Sequence, residues 1–113
     1  MIKIYHNNRC SKSRTGLEIL ENAGKPYEVV KYLENVPTFK ELKNIIALLN
    51  IDPIALVRKN EAIWKSNYKG KTLSDDEIIS AMIAHPKLIE RPIVINGKKA
   101  VIGRPPEAIL DII

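Results

Sequence analysis

Cysteine is scarce in this sequence. Cys10 is the only cysteine among 113 residues, so the chain cannot form an internal disulfide. One cysteine and two histidines also cannot supply the four ligands of a zinc site built from these residue types alone. A free thiol is typical of proteins in a reducing compartment, and we therefore expect a cytoplasmic protein.

Long apolar runs are missing and aromatic residues are few. No apolar stretch follows the opening residues 1–5, so we expect neither a signal peptide nor a membrane span. The net charge is +5, but lysine and arginine are spread along the chain and there are only six aromatic residues. This distribution argues against a nucleic-acid-binding surface and leaves a small oxyanion open as a partner.

The overall composition is that of a folded protein. Hydrophobic residues make up 45% of the chain and charged residues 27%, which excludes a disordered tail or a fibre. The length suits one domain over residues 1–113. No predicted helix carries an apolar stripe beyond its expected core face, and we therefore expect a monomer.

The chain begins with a β-α-β pattern. Alternating apolar and polar residues over 2–5 predict a strand. Ser11 or Ser13 is the expected N-cap of a helix that ends at Gly24, and a second strand is expected over 27–31.

A helical insertion is predicted at about residues 38–85. Thr38 and Ser74 each stand three residues before a glutamate, which is the spacing of a capping box. A short helix is predicted after Asp52, and residues 65–72 are predicted to form an exposed loop.

The last part of the chain predicts a β-hairpin and a helix. Asn96-Gly97 lies between two apolar runs, and Pro105 or Pro106 can begin the final helix. The economical assembly is an α/β protein with a four-stranded mixed sheet flanked by helices, which is the thioredoxin-like arrangement. In that arrangement the nucleophile lies between the first strand and the first helix, where Cys10 stands.

Cys10 has the surroundings of an activated thiol. Unpaired N–H groups and the positive end of the helix dipole stabilise a thiolate at a helix start. Arg9, Lys12 and Arg14 add positive charge nearby, and His6 could add more. We expect a partly exposed Cys10 with a lowered pKa, beside N–H groups that can hold an anion. The alternative is a buried, inert cysteine, which these polar neighbours argue against.

Two familiar thiol motifs are absent. Ser13 takes the place of the second cysteine of a Cys-x-x-Cys pair, so a self-contained disulfide oxidoreductase is excluded. Gly16 takes the place of the arginine of a tyrosine-phosphatase loop. Arginines for an anion must therefore come from other predicted element ends, and the candidates are Arg58, Arg91 and Arg104. A cis peptide bond is predicted between Arg91 and Pro92, because such a sheet typically has a cis-proline there.

Four motifs together resemble the arsenate reductases of the ArsC family. In chain order they are His6-Asn7-x-x-Cys10-x-x-Ser13-Arg14, Leu56-Val57-Arg58-Lys59, Glu90-Arg91-Pro92-Ile93-Val94 and Gly103-Arg104-Pro105-Pro106-Glu107. Their order and spacing follow the family from end to end of the chain. Asn8 is the visible departure, because the family usually has proline there, and this affects the expected rigidity of the loop.

The resemblance implies a role for each motif residue. It implies that Cys10 is the nucleophile. It implies that the oxyanion is bound by Arg58, Arg91 and Arg104. It implies that His6 and Ser13 keep Cys10 ionised. It implies that Asn7 and Arg14 shape the loop.

The resemblance also implies the reaction. The Cys10 thiolate attacks arsenic(V), glutathione adds to the adduct, arsenic leaves as arsenic(III), and glutaredoxin resolves the mixed disulfide. An external thiol is required because the chain has no second cysteine. Glutathione is then a co-substrate, and we expect no metal and no bound cofactor.

Two alternatives keep the same fold. One is an Spx-like regulator that binds RNA polymerase, although many of those carry a Cys-x-x-Cys switch and have no need of three oxyanion arginines. The other is an ArsC-like thiol oxidoreductase that acts on a different substrate.

Overall fold

The computed structural model describes all residues, 1–113. The strands are β1 (Ile2–Tyr5), β2 (Tyr27–Val30), β3 (Ile93–Asn96) and β4 (Lys99–Ile102). The α-helices are α1 (Ser11–Ala23), α2 (Phe39–Leu49), α3 (Ala62–Asn67) and α4 (Asp75–Ala84). Short 3₁₀ helices cover Pro53–Leu56, Pro86–Leu88 and Pro106–Asp111. None of the helices is both long and apolar enough to span a membrane.

The chain divides into two compact units. The sheet unit contains Met1–Asn35 and Arg91–Ile113, and the helical unit contains Val36–Glu90. That the whole chain forms one domain stays a prediction.

The sheet unit holds four strands in the order β2-β1-β3-β4. β1 pairs with β2 in parallel and with β3 in antiparallel orientation, and β3 and β4 are antiparallel. The four-stranded mixed sheet expected from the sequence is therefore confirmed. β1 is one of the two inner strands and is paired on both sides, and the segment that follows β1 carries Cys10.

An apolar cluster of α1, the last 3₁₀ helix and the strands supports this sheet. Ile4 of β1 faces Val94 of β3 across the ladder, and both side chains are fully buried. Leu20 of α1 and Ile109 of the last 3₁₀ helix pack into the same cluster. Burial of apolar side chains of this size is the main force that fixes α1 to the sheet.

The β3–β4 hairpin is confirmed with its turn shifted by one residue. Asn96 belongs to β3 and pairs with Lys99, so the turn consists of residues 97–98. Gly97 has a φ of 62°, a left-handed conformation that glycine adopts without the clash of a side chain. The side-chain amide of Asn96 instead donates to the carbonyl oxygen of Ile112 at 2.7 Å.

The helical unit contains both predicted capping boxes. The hydroxyl of Thr38 accepts from the N–H of Glu41, whose carboxylate accepts from the N–H of Thr38. Ser74 and Glu77 make the same reciprocal pair at the start of α4. α2 and α4 pack together within this unit, and each helix buries an apolar face that includes Leu42 and Ile45 on α2 and Ile79 and Met82 on α4.

Three predictions for local structure were wrong in part. The expected loop at 65–72 begins with the end of α3, which buries Trp64 and stacks it on Tyr68 with ring centroids 5.3 Å apart. The short helix after Asp52 is 3₁₀, and the Asp52 side chain makes no capping bond. The final helix is also 3₁₀ and begins at Pro106.

Candidate active site

Cys10 lies at the boundary between a loop and a helix. It is the N-cap of α1, with an extended backbone at φ −96° and ψ 123°. Its N–H donates to the carbonyl oxygen of Asn7 at 3.0 Å, and its own carbonyl accepts from the N–H of Arg14 at 3.0 Å. The prediction that Ser11 or Ser13 caps this helix was wrong, since no side-chain capping bond is present.

Ser13 instead holds the loop from inside the fold. Its side chain is fully buried, and its hydroxyl oxygen accepts from the N–H of Asn7 at 3.0 Å. The same oxygen lies 2.6 Å from Nδ1 of His6 in a hydrogen bond. Because Ser13 is on α1 and His6 follows β1, this hydroxyl fixes the path of the chain towards Cys10.

His6 is a neutral member of this network at neutral pH. Burial lowers the pKa of His6 by more than its hydrogen bond to Ser13 raises it. The positive charges of Lys31 and Arg14 lower that pKa further. The expectation that His6 could add positive charge near the thiol was therefore wrong, and its contact with the loop is the bond to Ser13.

Asn7, Asn8 and Arg14 make local contacts that brace the loop. The Asn7 side-chain oxygen accepts from the N–H of Arg9 at 3.0 Å. Nη1 of Arg14 donates to the backbone carbonyl of Asn8 at 3.0 Å. These are contacts that loop-shaping residues would make, and they tie down the position where the family usually has proline.

Arg91 and Arg104 lie beside the Cys10 sulfur. Nη2 of Arg104 donates to Sγ at 3.4 Å, and the Arg91 side chain also hydrogen bonds to it. Nε of Arg104 donates to the backbone carbonyl of Arg91 at 2.9 Å. Arg91 is buried, with 8% of its surface exposed, whereas Arg104 is exposed. The sheet unit thus brings one thiol and two guanidinium groups together.

The backbone before β3 is set by a cis-proline. The Arg91-Pro92 bond is cis, as the sequence predicted, and Arg104-Pro105 is a second cis bond that it did not predict. The carbonyl of Pro92 accepts from the N–H of Gly103 at 2.8 Å. This bond joins the open end of the hairpin, where the two arginines stand.

Two glycines let other segments approach Pro92. A Cβ on Gly103 would lie 2.8 Å from Cγ of Pro92, and a Cβ on Gly16 would lie 3.0 Å from the same atom. A Cβ at either position would also lie within 3.2 Å of Cδ1 of Ile109. Gly16, notable in the sequence for the arginine it replaces, is therefore a packing position of α1 against Pro92.

The pKa of Cys10 lies below its ordinary value. Partial burial of the sulfur raises this pKa, but hydrogen bonds from the backbone N–H groups of Ser13 and Lys12 lower it. The charge of Arg104 and the hydrogen bond from Arg91 lower it further. The partly exposed thiol with a lowered pKa agrees with the expectation from the sequence. A lowered pKa increases the fraction of thiolate, which is the nucleophilic form.

Arg58, the third arginine, belongs to the helical unit. Its Nη1 lies 3.2 Å from Oε1 of Glu90, and its Nε lies 3.5 Å from Oε1 of Glu61. The sequence reasoning missed both partners. Glu61 stands only three residues after Arg58, a separation that a single turn can close, whereas the pair with Glu90 spans 32 residues and has no local signature. That Arg58 binds the oxyanion stays a prediction.

No metal site is formed by the usual ligand side chains. The structure contains no group of three or more histidine, cysteine, aspartate or glutamate residues placed to hold an ion.

The sequence profile described as the ArsC family matches residues 5–112. The chain belongs to the ArsC family. An ArsC-family relative named arsenate reductase from Haemophilus influenzae is 46% identical over 112 residues, 97% of each chain. An Escherichia coli relative named "Uncharacterized protein YfgD" is 44% identical over 114 residues, 99% of this chain and 96% of its own.

A solved structure of similar sequence shows the same fold. It is entitled arsenate reductase from Vibrio cholerae and superposes with a TM-score of 0.94 at 46% identity, covering 99% of this chain and 97% of its own. The thioredoxin-like α/β fold expected from the sequence is thereby confirmed.

Proposed function

We propose that this ArsC-family protein is an arsenate reductase that uses the Cys10 thiolate as its nucleophile. One observation carries the proposal, which is the Arg104 guanidinium donating to the Cys10 sulfur at 3.4 Å. A guanidinium beside a thiolate can bind an oxyanion and hold it where the thiolate attacks it. The names of the relatives from Haemophilus influenzae and Vibrio cholerae support this substrate.

The first step forms a sulfur–arsenic bond. Arg91 and Arg104 hold the arsenate oxygens, and the Cys10 thiolate attacks arsenic(V). One arsenic–oxygen bond breaks, and that oxygen leaves as water after taking up protons. Fixed guanidinium donors lower the barrier because they stabilise the negative charge that collects on the remaining oxygens. Arg58 is retained as a third donor because the family motif contains it.

The second step transfers the electrons. Glutathione adds to the adduct as a thiolate, and a disulfide forms between its sulfur and Cys10. The sulfur–arsenic bond breaks with its electron pair on arsenic, which leaves as arsenite. Glutaredoxin then reduces the mixed disulfide and regenerates the Cys10 thiolate. An external thiol is needed because Cys10 has no cysteine partner in the chain. The free thiol also supports a cytoplasmic location, and we propose that the protein acts as a monomer.

A coupled assay tests the proposal. NADPH oxidation is followed in the presence of glutathione, glutaredoxin and glutathione reductase, with arsenate added last. We expect oxidation that depends on arsenate and that stops when glutaredoxin is omitted. Cys10→Ser should abolish it while circular dichroism remains unchanged, because serine is nearly isosteric with cysteine. Turnover that persists in Cys10→Ser would contradict the mechanism, and absence of arsenate-dependent turnover in the unaltered protein would contradict the function.

A further inference from the structure

Arg58 is surrounded by carboxylates inside the helical unit. Glu90 pairs with Nη1 at 3.2 Å and Glu61 faces Nε at 3.5 Å. The Arg58 side chain is 26% exposed, and those of Glu61 and Glu90 are 27% and 24% exposed. Pairs at this depth are screened less by water and salt than pairs on an open surface.

The backbone fixes this cluster in place. Val57 and Ile89 form an antiparallel bridge, in which the N–H of Arg58 donates to Leu88 and the N–H of Glu90 donates to Leu56. This register makes Arg58 and Glu90 diagonal neighbours on one face of the bridge. A turn closed by the Glu61 N–H on the Arg58 carbonyl brings in the second carboxylate. The pairing is therefore built into the fold of the unit.

Both anion-binding edges of the Arg58 guanidinium lie beside a carboxylate, although only Nη1 makes a hydrogen bond. An arginine binds an oxyanion in paired fashion either through Nη1 and Nη2 or through Nε and Nη2. Nη1 faces Glu90 and Nε faces Glu61, so each of these edges already includes a nitrogen next to a carboxylate. The three side chains together carry a formal charge of −1, which repels an anion.

We propose that Glu61 and Glu90 compete with the oxyanion for Arg58 and thereby set the affinity of the enzyme for its substrate. The inference rests on the proposed function, in which Arg58 is the third anion-binding arginine. Glu90 is the stronger competitor because its carboxylate makes a hydrogen bond, whereas Glu61 faces Nε only at ion-pair distance. An anion that binds Arg58 must displace or share these contacts.

Isosteric removal of one charge tests this. Glu90→Gln keeps an oxygen that can accept from Arg58 but removes the negative charge. We expect the KM for arsenate to fall about three- to tenfold at low salt while kcat is little changed. Glu61→Gln should act in the same direction with a smaller effect. The matched control is Asp76→Asn, which changes the net charge equally at a carboxylate that is 66% exposed and paired with Lys43.

A double-mutant cycle with Arg58→Ala separates the outcomes. The decrease in KM that Glu90→Gln causes should be smaller in the Arg58→Ala background, because no guanidinium remains to be released. An unchanged or higher KM in Glu90→Gln would overturn the inference. An equally large decrease in KM in the Arg58→Ala background would also overturn it. If the unaltered protein does not turn over arsenate at all, the proposed function fails and this inference falls with it.

Discussion

Arg104 donates from Nε to the backbone carbonyl of Arg91 at 2.9 Å, so the two arginines beside Cys10 form one connected pair. The contact leaves Nη2 of Arg104 directed to the Cys10 sulfur at 3.4 Å. It follows that the position of the exposed Arg104 side chain depends on the backbone of the buried Arg91. Four predictions follow from this arrangement and from the loop that carries Cys10.

Removal of the Arg104 charge should make Cys10 a weaker acid. Arg104 lowers the pKa of the thiol, so Arg104→Gln should raise the pH midpoint of iodoacetamide alkylation. In the unaltered protein the thiolate persists below the midpoint of free cysteine, and alkylation falls only as the pH drops through the lowered pKa. Lys98→Gln, in the hairpin turn, is the charge-matched control. An equal shift in both variants would mean that only net charge matters.

Loss of either arginine should weaken catalysis more than it weakens the fold. A charge-assisted hydrogen bond to an anion is worth roughly 1.5–3 kcal/mol, so Arg91→Ala and Arg104→Ala should each lower kcat/KM for arsenate about ten- to a hundredfold. Lysine at either position should recover only part, because the paired planar geometry is lost. Full activity in both alanine variants would rule out their role in binding the oxyanion.

Ser13 should contribute to stability through the Asn7 backbone. Ser13→Ala leaves the buried N–H of Asn7 without its acceptor and removes the partner of His6. We expect a loss of about 1–3 kcal/mol in the free energy of unfolding, measured by urea denaturation. Ser11→Ala changes an exposed residue in the same helical turn and should have little effect. Similar losses in both variants would contradict the role assigned to the Ser13 hydroxyl.

Gly103 should not tolerate a side chain. A Cβ there would lie 2.8 Å from Cγ of Pro92 and 3.2 Å from Cδ1 of Ile109. Gly103→Ala should therefore lower the free energy of unfolding by about 1–3 kcal/mol, the usual result of overpacking a core. Because Arg104 is the next residue, the alkylation midpoint of Cys10 should rise in the same variant. A variant as stable as the original would show that Pro92 can move away.

Local patterns predicted the elements better than their ends. The capping boxes at Thr38 and Ser74 were correct because each uses residues only three positions apart. The cap of α1 was wrong because the Ser13 hydroxyl is occupied by Asn7 and His6, contacts that depend on the loop path. The end of α3 was missed because burial of Trp64 in the helical unit outweighs the polar composition of residues 65–67.

In the candidate site, too, local features could be predicted from the sequence and long-range contacts could not. The position of Cys10 before α1 and the cis bond at Pro92 could be predicted from the sequence. The bond from Arg104 to the Arg91 carbonyl could not, because it joins residues 13 positions apart that only the β3–β4 hairpin brings together. The pair of Arg58 and Glu90 was hidden for the same reason, since only the bridge between Val57 and Ile89 brings them together.

Both arginines lie at the open end of the β3–β4 hairpin. β3 and β4 pair from Ile93 opposite Ile102 to Asn96 opposite Lys99, which places Arg91 and Arg104 beyond one end and the turn at the other. The paired segment rises about 10 Å over the three steps from Ile93 to Asn96. The turn at 97–98 is therefore a suitable attachment point for a fluorophore, an affinity tag or a surface tether. A probe inserted there would report on the protein from a position remote from its reactive sulfur.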